Sequence, residues 1–491
     1  MSTHSAPVPP APKHLVIIGA GPAGLTAAWE NMRHGGTSTV LEGDTVVGGI
    51  ARTAKHNGYR FDIGGHRFFT KVKEVDALWH EVLTKDFIRV PRQSRILYRR
   101  KFFAYPLKPF QAFFGLGPLE SIRIFFSYLA ARISPKSPEE DLETWVSNRF
   151  GKRLFQIFFK TYTEKVWGVP CTEIQAEWAA QRIRGLSLFR AVYNSFVKDK
   201  SIKTLIDEFD YPRLGPGQMW ETFHANLEEA GSKVHMETLA RKIHWKSGEG
   251  VTAVEAVKDG KAQLFTGDAF VSTMPMKELA EALEPPPPPN VLAAARRLRY
   301  RDFICVALML KGEGFFTDNW VYIHSPEVHV GRVQNFNNWS KEMVPEPGIT
   351  CLGLEYFCFE SDPLWLKTDA ELLELGKREI FETGLVPHGT PLVDGAVVRM
   401  KKTYPMYDPG YGEAVDELRA FLAKELPNLQ LVGRNGMHKY NNQDHSMLTA
   451  MYAVRNLYGA SHDLWAVNVD EDYHEELRET RSDKTLTTSA P

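Results

Sequence analysis

Residues 14–42, HLVIIGAGPAGLTAAWENMRHGGTSTVLE, decide the fold of this chain. An apolar run leads into a Gly-x-Gly-x-x-Gly turn, a helix-forming run, and a second apolar run that ends on an acid. Gly19 makes the tight turn, Gly21 lets the backbone approach a pyrophosphate, and Gly24 lets the helix pack closely on the strand. The stretch therefore predicts a strand–turn–helix–strand unit that binds a dinucleotide, whose phosphates face the N–H groups of the helix N-terminus.

A second glycine loop follows directly. Glu42 lies 18 residues after Gly24, where a carboxylate can hold a pair of ribose hydroxyls. Beyond it, Gly48 and Gly49 precede Arg52, which gives a second place where the backbone can approach a phosphate. A nicotinamide domain has no need of this loop, whereas the diphosphate of an extended FAD can be contacted from both sides. The two motifs together favour FAD over a nicotinamide cofactor, and a binding loop over a plain hairpin turn.

A third glycine loop predicts where the flavin ring lies. Residues 59–63, YRFDI, predict a strand that runs into Gly64, Gly65 and His66. Two adjacent glycines at a strand end indicate backbone pressed against a flat group. The alternative is a turn that carries a surface histidine. With an FAD motif upstream, we expect the loop to lie on the isoalloxazine ring, with His66 near its reactive edge.

The composition is that of an ordinary globular protein. The chain has 491 residues, 43% hydrophobic and 24% charged, enough for two or three domains with a large core. Its net charge of -1 gives no electrostatic case for nucleic acid or an anionic membrane, and no apolar run approaches the roughly 18 residues of a membrane span. Four cysteines lack metal or disulfide spacing, and the first residues lack the pattern of a signal peptide. These features favour a reducing, cytoplasmic setting.

The order of the predicted elements indicates an α/β fold. It consists of a Rossmann-like FAD-binding domain, an inserted helical domain and an antiparallel β-sheet substrate domain. The FAD-binding domain is expected to be discontinuous, and the chain to begin with a disordered tail and end with a C-terminal tail. The expected ranges are 1–13 for the first tail, 14–75, 205–280 and 425–470 for the FAD-binding domain, 108–204 for the helical domain, 76–107 and 290–424 for the substrate domain, and 471–491 for the second tail.

Four local patterns carry more specific expectations. Residues 94–107 alternate basic and aromatic side chains and predict a hairpin, and residues 154–168 predict a helix with one apolar face. The prolines at 285–289 predict a stiff linker. Residues 431–434 predict a last buried strand, and a polar loop that leads into a helix follows it. The apolar face of the predicted helix consists of Phe155, Phe158, Phe159 and Tyr162.

Four further stretches are more specific than the dinucleotide motif. They are Gly64-Gly65-His66, residues 162–168 (YTEKVWG), residues 330–332 (VGR), and a C-terminal segment with Gly433-Arg434, residues 438–440 (HKY) and residues 442–445 (NQDH). Each is similar to a motif of the UDP-galactopyranose mutases, a family within the wider superfamily of amine oxidases and protoporphyrinogen oxidase. The matches run from residue 15 to about residue 457, so the resemblance covers nearly the whole chain.

The resemblance implies a reaction without net oxidation. Reduced, non-covalently bound FAD would attack the anomeric carbon of an activated sugar through N5 and displace UDP, and the sugar would reclose in the other ring size. NADPH or NADH is a candidate reductant. The implied catalytic residues are His66, Arg332 and Arg434. The implied substrate contacts are Tyr162, Trp167, Arg182, Tyr407, Tyr440 and Asn442, with Arg182 and Arg332 facing the diphosphate and sugar. The cofactor contacts are Gly19, Gly21, Pro22, Ala23, Gly24, Glu42, Gly48, Gly49, Arg52, Gly64, Gly65, His66, Val234, Gly433, Arg434, Gln443, Ser446 and Met447.

The sequence departs from that family in the sugar pocket. The family's asparagine before the proline of the hairpin is replaced around Ala104 and Tyr105, the second histidine of the bacterial flavin loop is Phe69, and the spacing from Tyr440 to Asn442 is short. An FAD-dependent oxidoreductase of the amine oxidase or protoporphyrinogen oxidase type is therefore the alternative, with a non-catalytic FAD-binding protein as a third case. An arginine pair over the flavin would favour the mutase, whereas an apolar substrate pocket would favour the oxidoreductase.

Overall fold

The structure is a computed structural model that describes residues 14–105, 107, 111, 115–176 and 208–468. Its helices are α1 (Pro22–Arg33), α2 (Lys73–Leu83), α3 (Pro118–Ile133), α4 (Leu142–Phe150), α5 (Lys152–Phe155), α6 (Thr161–Trp167), α7 (Gly217–Glu229), α8 (Met276–Glu281), α9 (Pro289–Arg297), α10 (Asp369–Thr383), α11 (Tyr411–Glu425), α12 (Gly433–Gly436) and α13 (Gln443–Leu457). Its strands are β1 (His14–Ile18), β2 (Thr37–Leu41), β3 (Thr53–His56), β4 (Tyr59–Asp62), β5 (Phe87–Pro91), β6 (Ser94–Tyr98), β7 (Lys101–Ala104), β8 (Glu208–Pro212), β9 (Lys233–His235), β10 (Leu239–Lys246), β11 (Gly250–Lys258), β12 (Lys261–Phe265), β13 (Ala269–Ser272), β14 (Leu283–Glu284), β15 (Tyr300–Lys311), β16 (Trp320–Ile323), β17 (Arg332–Asn335), β18 (Ile349–Cys358), β19 (Leu392–Pro405) and β20 (Leu429–Leu431).

A five-stranded parallel sheet holds the first motif, in the order β20-β13-β1-β2-β9. Four consecutive residues of β1, from Leu15 to Ile18, are buried, as expected for a parallel strand covered on both faces. Helix α1 begins at Pro22, directly after the glycine turn, and packs against α13. This arrangement confirms the predicted Rossmann-like domain.

Three helices pack into the core of this domain from other parts of the chain. Trp79 of α2, Val291 of α9 and Leu418 of α11 belong to the same buried cluster as Val16 of β1. The boundaries expected at 76, 290 and 424 therefore do not coincide with the packing. The predicted linker is also shorter than expected, because Glu284 still pairs with β10 and Pro289 already occupies the first turn of α9.

The second large element is a seven-stranded sheet in the order β19-β15-β18-β17-β16-β6-β7, antiparallel except between β16 and β6. Alternate residues of β15 enter two different cores, so that Val306 lies on one face and Ala307 on the other. Both faces are therefore covered. The sheet confirms the predicted antiparallel β-sheet, whose role as the substrate domain stays a prediction, and β6 and β7 confirm the predicted hairpin.

The helical region departs from one expectation. The helix predicted over 154–168 is not continuous, because a π-helical turn at Gln156–Lys160 separates α5 from α6. A π turn contains one more residue than an α turn and rotates the side chains that follow it. Phe155 and Phe158 consequently enter the helical core, whereas Tyr162 stacks on His324, with 5.0 Å between ring centroids.

The predicted last strand also ends earlier than expected. β20 stops at Leu431, and Gly433 has φ +82°, a left-handed conformation that starts the short helix α12. The prediction of a strand through Arg434 was wrong for this reason. The described helices include none whose length and apolar character would suit a membrane span.

A buried carboxyl ties the loop before His66 to the rest of the molecule. Asp62, at the end of β4, is fully buried, accepts a hydrogen bond from Thr53 Oγ1 at 2.9 Å and accepts a second from the Tyr211 hydroxyl. Burial raises the pKa of Asp62 to about 7, although both hydrogen bonds act to lower it.

We expect an Asp62→Asn variant to gain stability relative to wild type as pH rises from about 4 to about 7. The carboxyl has an ordinary pKa of 3.8 when unfolded, so over this range the folded state retains a proton that the unfolded state releases. The free energy of unfolding of the wild type therefore falls with rising pH. The total fall is on the order of 4 kcal/mol, because each unit of difference between the folded and unfolded pKa corresponds to about 1.36 kcal/mol. Melting temperatures of wild type, Asp62→Asn and the exposed control Asp416→Asn between pH 4 and 8 test this. A difference between wild type and Asp62→Asn that stays constant over the range would contradict it.

Candidate functional site

A cavity of about 450 Å³ lies at the carboxyl ends of β1, β2 and β13. Ligands of open α/β sheets bind at this edge, so the position agrees with the dinucleotide prediction. The predicted cofactor contacts that line the cavity are Gly19, Gly21, Pro22, Ala23, Glu42, Gly49, Gly65, His66, Gly433, Arg434, Gln443 and Ser446. The remaining predicted contacts, Gly24, Gly48, Arg52, Gly64, Val234 and Met447, lie outside this lining.

The glycines divide into those that pack on protein and those that face the cavity. A Cβ on Gly19 would lie 2.1 Å from Thr273 Oγ1, and one on Gly24 would lie 1.8 Å from the carbonyl oxygen of Gly19. A Cβ on Gly21 would meet no atom closer than the Cα of Gly49, at 3.9 Å. Gly21 and Gly49 thus approach each other from neighbouring loops in the wall of the cavity, and these two positions without side chains form the cradle that a pyrophosphate requires.

Glu42 is oriented by backbone donors at the entrance of this cradle. Its carboxylate accepts hydrogen bonds from the Ala20 N–H at 2.7 Å and the Asp44 N–H at 2.9 Å. Burial raises the pKa of Glu42 despite both bonds. Arg52 is held by Asp44, whose carboxylate accepts from Nη1 at 2.8 Å, so Arg52 supports the second loop.

The other cofactor predictions fall on supporting elements. Val234 lies in β9 and pairs with Val40 of β2, the strand that ends directly before Glu42. Met447 is fully buried in α13, where its sulfur accepts a hydrogen bond from Trp79. The N-terminus of α13 enters the cavity wall with Gln443, whose buried Oε1 has no hydrogen-bond partner among the described residues.

His66 is a neutral ring in the wall of the cavity. Burial and the nearby guanidinium groups of Arg434 and Arg332 lower its pKa to about 3. Its buried Nδ1 has no hydrogen-bond partner within the described part of the chain. The glycine cradle and these two unpaired polar atoms, on His66 and Gln443, fit a flavin dinucleotide.

Arg332 is held by a buried acid. Its Nε donates to Glu355 Oε2 at 2.8 Å, and Nη2 lies 2.6 Å from the same oxygen. Gln334 donates to the other carboxylate oxygen at 2.7 Å, and Glu355 itself is completely buried. The charge of Arg332 is therefore compensated within the protein.

Arg434 differs in this respect. It donates to two backbone carbonyl groups, those of Asn441 at 2.9 Å and Thr403 at 3.1 Å. Its guanidinium lies 4.6 Å from the ring centroid of Tyr440 and 5.6 Å from that of Tyr404. It forms no salt bridge with any described acid, and it lines the cavity. Arg434 thus brings an uncompensated positive charge to the site.

Two aromatic groups contain the predicted substrate residues. In the first, Tyr162 stacks on His324 and meets Tyr322 edge-on. In the second, Tyr407 accepts a hydrogen bond from the backbone N–H of Tyr440 at 2.7 Å, and its ring centroid lies 6.5 Å from that of Trp167. Asn442 lines the cavity and caps α13. Arg182 lies outside the described residues.

Two cations were not among the residues predicted from the sequence. The guanidinium groups of Arg67 and Arg92 lie 5.4 and 5.5 Å from the ring centroid of Trp320. Electrostatic repulsion from Tyr322 and burial raise the pKa of Tyr105, at the position that departs from the mutase motif, and both arginines oppose this rise. The place of Arg67 directly after His66 was an available signal, whereas Arg92 is brought in by the tertiary fold.

Comparisons with known proteins agree with a flavin site. Residues 22–320 match the sequence model of the flavin containing amine oxidoreductases. Coproporphyrinogen III oxidase of Mycobacterium tuberculosis (strain ATCC 25618 / H37Rv) is 23% identical over 441 residues, which cover 84% of this chain and 92% of that protein.

Two solved structures share the fold. Reduced UDP-galactopyranose mutase is 23% identical with a TM-score of 0.81, and the match covers 93% of this chain and 98% of that one. A putative protoporphyrinogen oxidase from Exiguobacterium sp. 255-15 is 16% identical with a TM-score of 0.67, covering 90% and 99%. At these identities the likeness is one of fold.

We expect a Gly21→Val variant to fold but to lose FAD. The nearest protein atom to the added Cβ is the Cα of Gly49 at 3.9 Å, so the protein accommodates the Cβ, and the side chain takes up space that the pyrophosphate needs. Gly412→Val is the matched control, because its Cβ meets nothing within 4 Å. Flavin absorbance after purification and reconstitution measures binding, and circular dichroism checks folding. A folded Gly21→Val protein that retains FAD would contradict the cradle.

Proposed function

This chain belongs to the family of flavin-containing amine oxidoreductases, and we propose that within it the protein is a mutase-like isomerase. Its proposed substrate is a nucleotide-linked or phosphate-activated sugar. The observation that carries the proposal is the uncompensated charge of Arg434 in the cavity wall, beside the stacked phenol rings of Tyr404 and Tyr440. A cation with hydroxyl donors around it suits a phosphate that leaves during the reaction.

The proposed roles follow from the charge of each residue. When bound in reduced form, FAD supplies a nucleophile for the anomeric carbon. Arg434 neutralises the departing phosphate, which gains negative charge as its bond to the sugar breaks. Arg332 positions substrate oxygen atoms, because Glu355 fixes its guanidinium. The low pKa of His66 makes it a weak base, so it acts as a hydrogen-bonding partner for the cofactor and leaves proton removal to other groups.

An FAD-dependent oxidoreductase is the second candidate. The specific observation in its favour is the match to coproporphyrinogen III oxidase, which spans 92% of that protein. An oxidase starts from oxidised flavin and moves two electrons in each cycle, whereas a mutase needs reduced flavin and consumes none. For the mutase, NADPH or NADH is the proposed reductant.

We expect many product molecules for each reduced flavin. The test is anaerobic incubation of dithionite-reduced protein with UDP-galactose and related activated sugars, with product counted per electron supplied. No oxygen or dye consumption should accompany product formation, and oxidised protein should be inactive. His66→Ala should turn over more slowly while FAD stays bound. One electron pair consumed per product would make the protein an oxidoreductase.

We expect Arg434→Gln to weaken UDP binding by roughly 2 kcal/mol, or about thirtyfold, because a charge-assisted contact to phosphate is lost. Arg378→Gln, at an exposed arginine of α10, is the matched control. Calorimetry on FAD-loaded proteins with equal flavin content gives the affinities. Equal UDP affinity for wild type and Arg434→Gln would show that the nucleotide-sugar proposal is wrong.

The role of Arg332 in substrate binding cannot be tested by replacing Arg332 alone with alanine. Arg332→Ala would leave the buried carboxylate of Glu355 without its counter-charge, which is strongly destabilising. The double variant Arg332→Met/Glu355→Gln removes both charges, so a change in UDP affinity then reports on the substrate contact.

A further inference from the structure

Helix α3 presents a large apolar face to solvent. Ser121 and Ile124 are its buried residues, and they form a narrow contact with the helices beneath. Six large apolar side chains of α3 are between 42% and 76% exposed. A face of this size exceeds what monomeric soluble proteins usually expose and indicates a docking surface. The six residues, called the α3 face below, are Leu119, Ile122, Phe125, Phe126, Leu129 and Ile133.

The α3 face is continuous and has cations on both edges. At 100° per residue, its six side chains fall within an arc of about 120° around the helix axis. Arg132 lies about 20° beyond the edge at Phe125, and Arg123 about 40° beyond the edge at Leu119. Both arginines are exposed, so their stems can lie along the apolar face while their charges reach outward.

The rim of the face carries a net positive charge. Glu120 is the acid nearest to it on α3, and its carboxylate is shared between Arg123 at 2.7 Å and Arg153 at 2.6 Å. Arg132 has no salt bridge to any described residue. The chain as a whole has a net charge of -1, so this positive rim is a local feature.

A second basic element lies at the start of α3. The β6–β7 hairpin turns through Arg99 and Arg100, both exposed, and continues into Lys101. Lys101 Nζ donates to the carbonyl oxygen of Gly115 at 3.0 Å, which fixes the turn two residues before the helix cap at Gly117. Lys101 is thereby placed beside the start of the apolar helix, whereas the Arg100 side chain donates to the carbonyl oxygen of Glu382 at the end of α10.

We propose that the α3 face docks on a lipid bilayer rich in anionic headgroups. An apolar arc flanked by arginines is the pattern of a helix that lies in the plane of the membrane interface. A second copy of the chain is the competing occupant, since residues 119, 122, 126, 129 and 133 follow heptad spacing. Phe125 widens the face beyond such a seam, and two copies would bring like-charged rims together. Anionic headgroups instead complement the rim.

The test is co-sedimentation of the FAD-loaded, full-length protein with two kinds of vesicle. One is phosphatidylcholine with 30% phosphatidylglycerol (about this fraction gives a strongly anionic surface), and the other is phosphatidylcholine alone. We expect binding to the first vesicles, weakened by salt. Phe125→Ser/Phe126→Ser should lower the partition coefficient on the order of tenfold or more. Arg123→Gln/Arg132→Gln should lower it about fivefold for each arginine.

The matched control is Leu264→Ser/Leu366→Ser, which removes two apolar side chains that are 64% and 72% exposed outside α3. It should bind vesicles as wild type does, and equal flavin content shows that each variant is folded. Wild type that stays in the supernatant with both vesicles overturns the proposal, as does an α3 variant that binds like the control. A dimer in sedimentation velocity that Phe125→Ser/Phe126→Ser converts to monomer, without vesicle binding, assigns the face to a second copy instead.

Discussion

Gly21 and Gly49 lie close to each other in the wall of the cavity, and this close approach of two loops constrains the structure around it. They stand on different loops, so their separation depends on the sheet that holds both. Parallel pairing of β1 with β2 sets the two loops side by side, and the Gly48 N–H donates to the Ala20 carbonyl at 2.8 Å. This bond fixes one loop against the other. Because neither glycine brings a side chain to this part of the cavity wall, a ligand there meets backbone N–H groups and a helix N-terminus, which suits a diphosphate.

The two arginines of the site differ through their surroundings. Arg332 and the buried Glu355 form a pair whose members depend on each other, because removing either one leaves the charge of the other unpaired in the protein interior. Arg434 is bound to carbonyl oxygens, which orient a guanidinium without cancelling its charge. Burial, together with both cations, lowers the pKa of His66 and keeps it neutral, so the imidazole adds no further positive charge near the flavin loop. Arg434 therefore brings to the site a positive charge that no described acid neutralises.

The parts of the fold that were predictable are those encoded by local patterns. The glycine turns, the buried strand β1 and the β6–β7 hairpin each follow from a few consecutive residues. The π-helical turn at Gln156–Lys160 does not, because the helical spacing of the phenylalanines is compatible with a continuous α-helix. The compensation of Arg332 by Glu355 arises from pairing between β17 and β18, which places residues 23 positions apart side by side. Arg92 is a similar case, since its neighbour Trp320 lies far along the chain.

The net charge of the chain also fails to show where charged residues lie in the folded protein. A sum over the chain gives -1, and from it no attraction to an anionic surface is expected. Charges interact over about 8–10 Å at physiological ionic strength, so a surface senses the groups near the contact and not the total. Around α3 these groups are arginines whose nearby acid, Glu120, is already shared between two of them. The fold therefore concentrates positive side chains in one region, although positive and negative residues nearly cancel over the whole chain. This region lies beside the most extensive exposed apolar helix face among the described residues. Whole-chain charge is a sound guide only where the fold leaves opposite charges mixed.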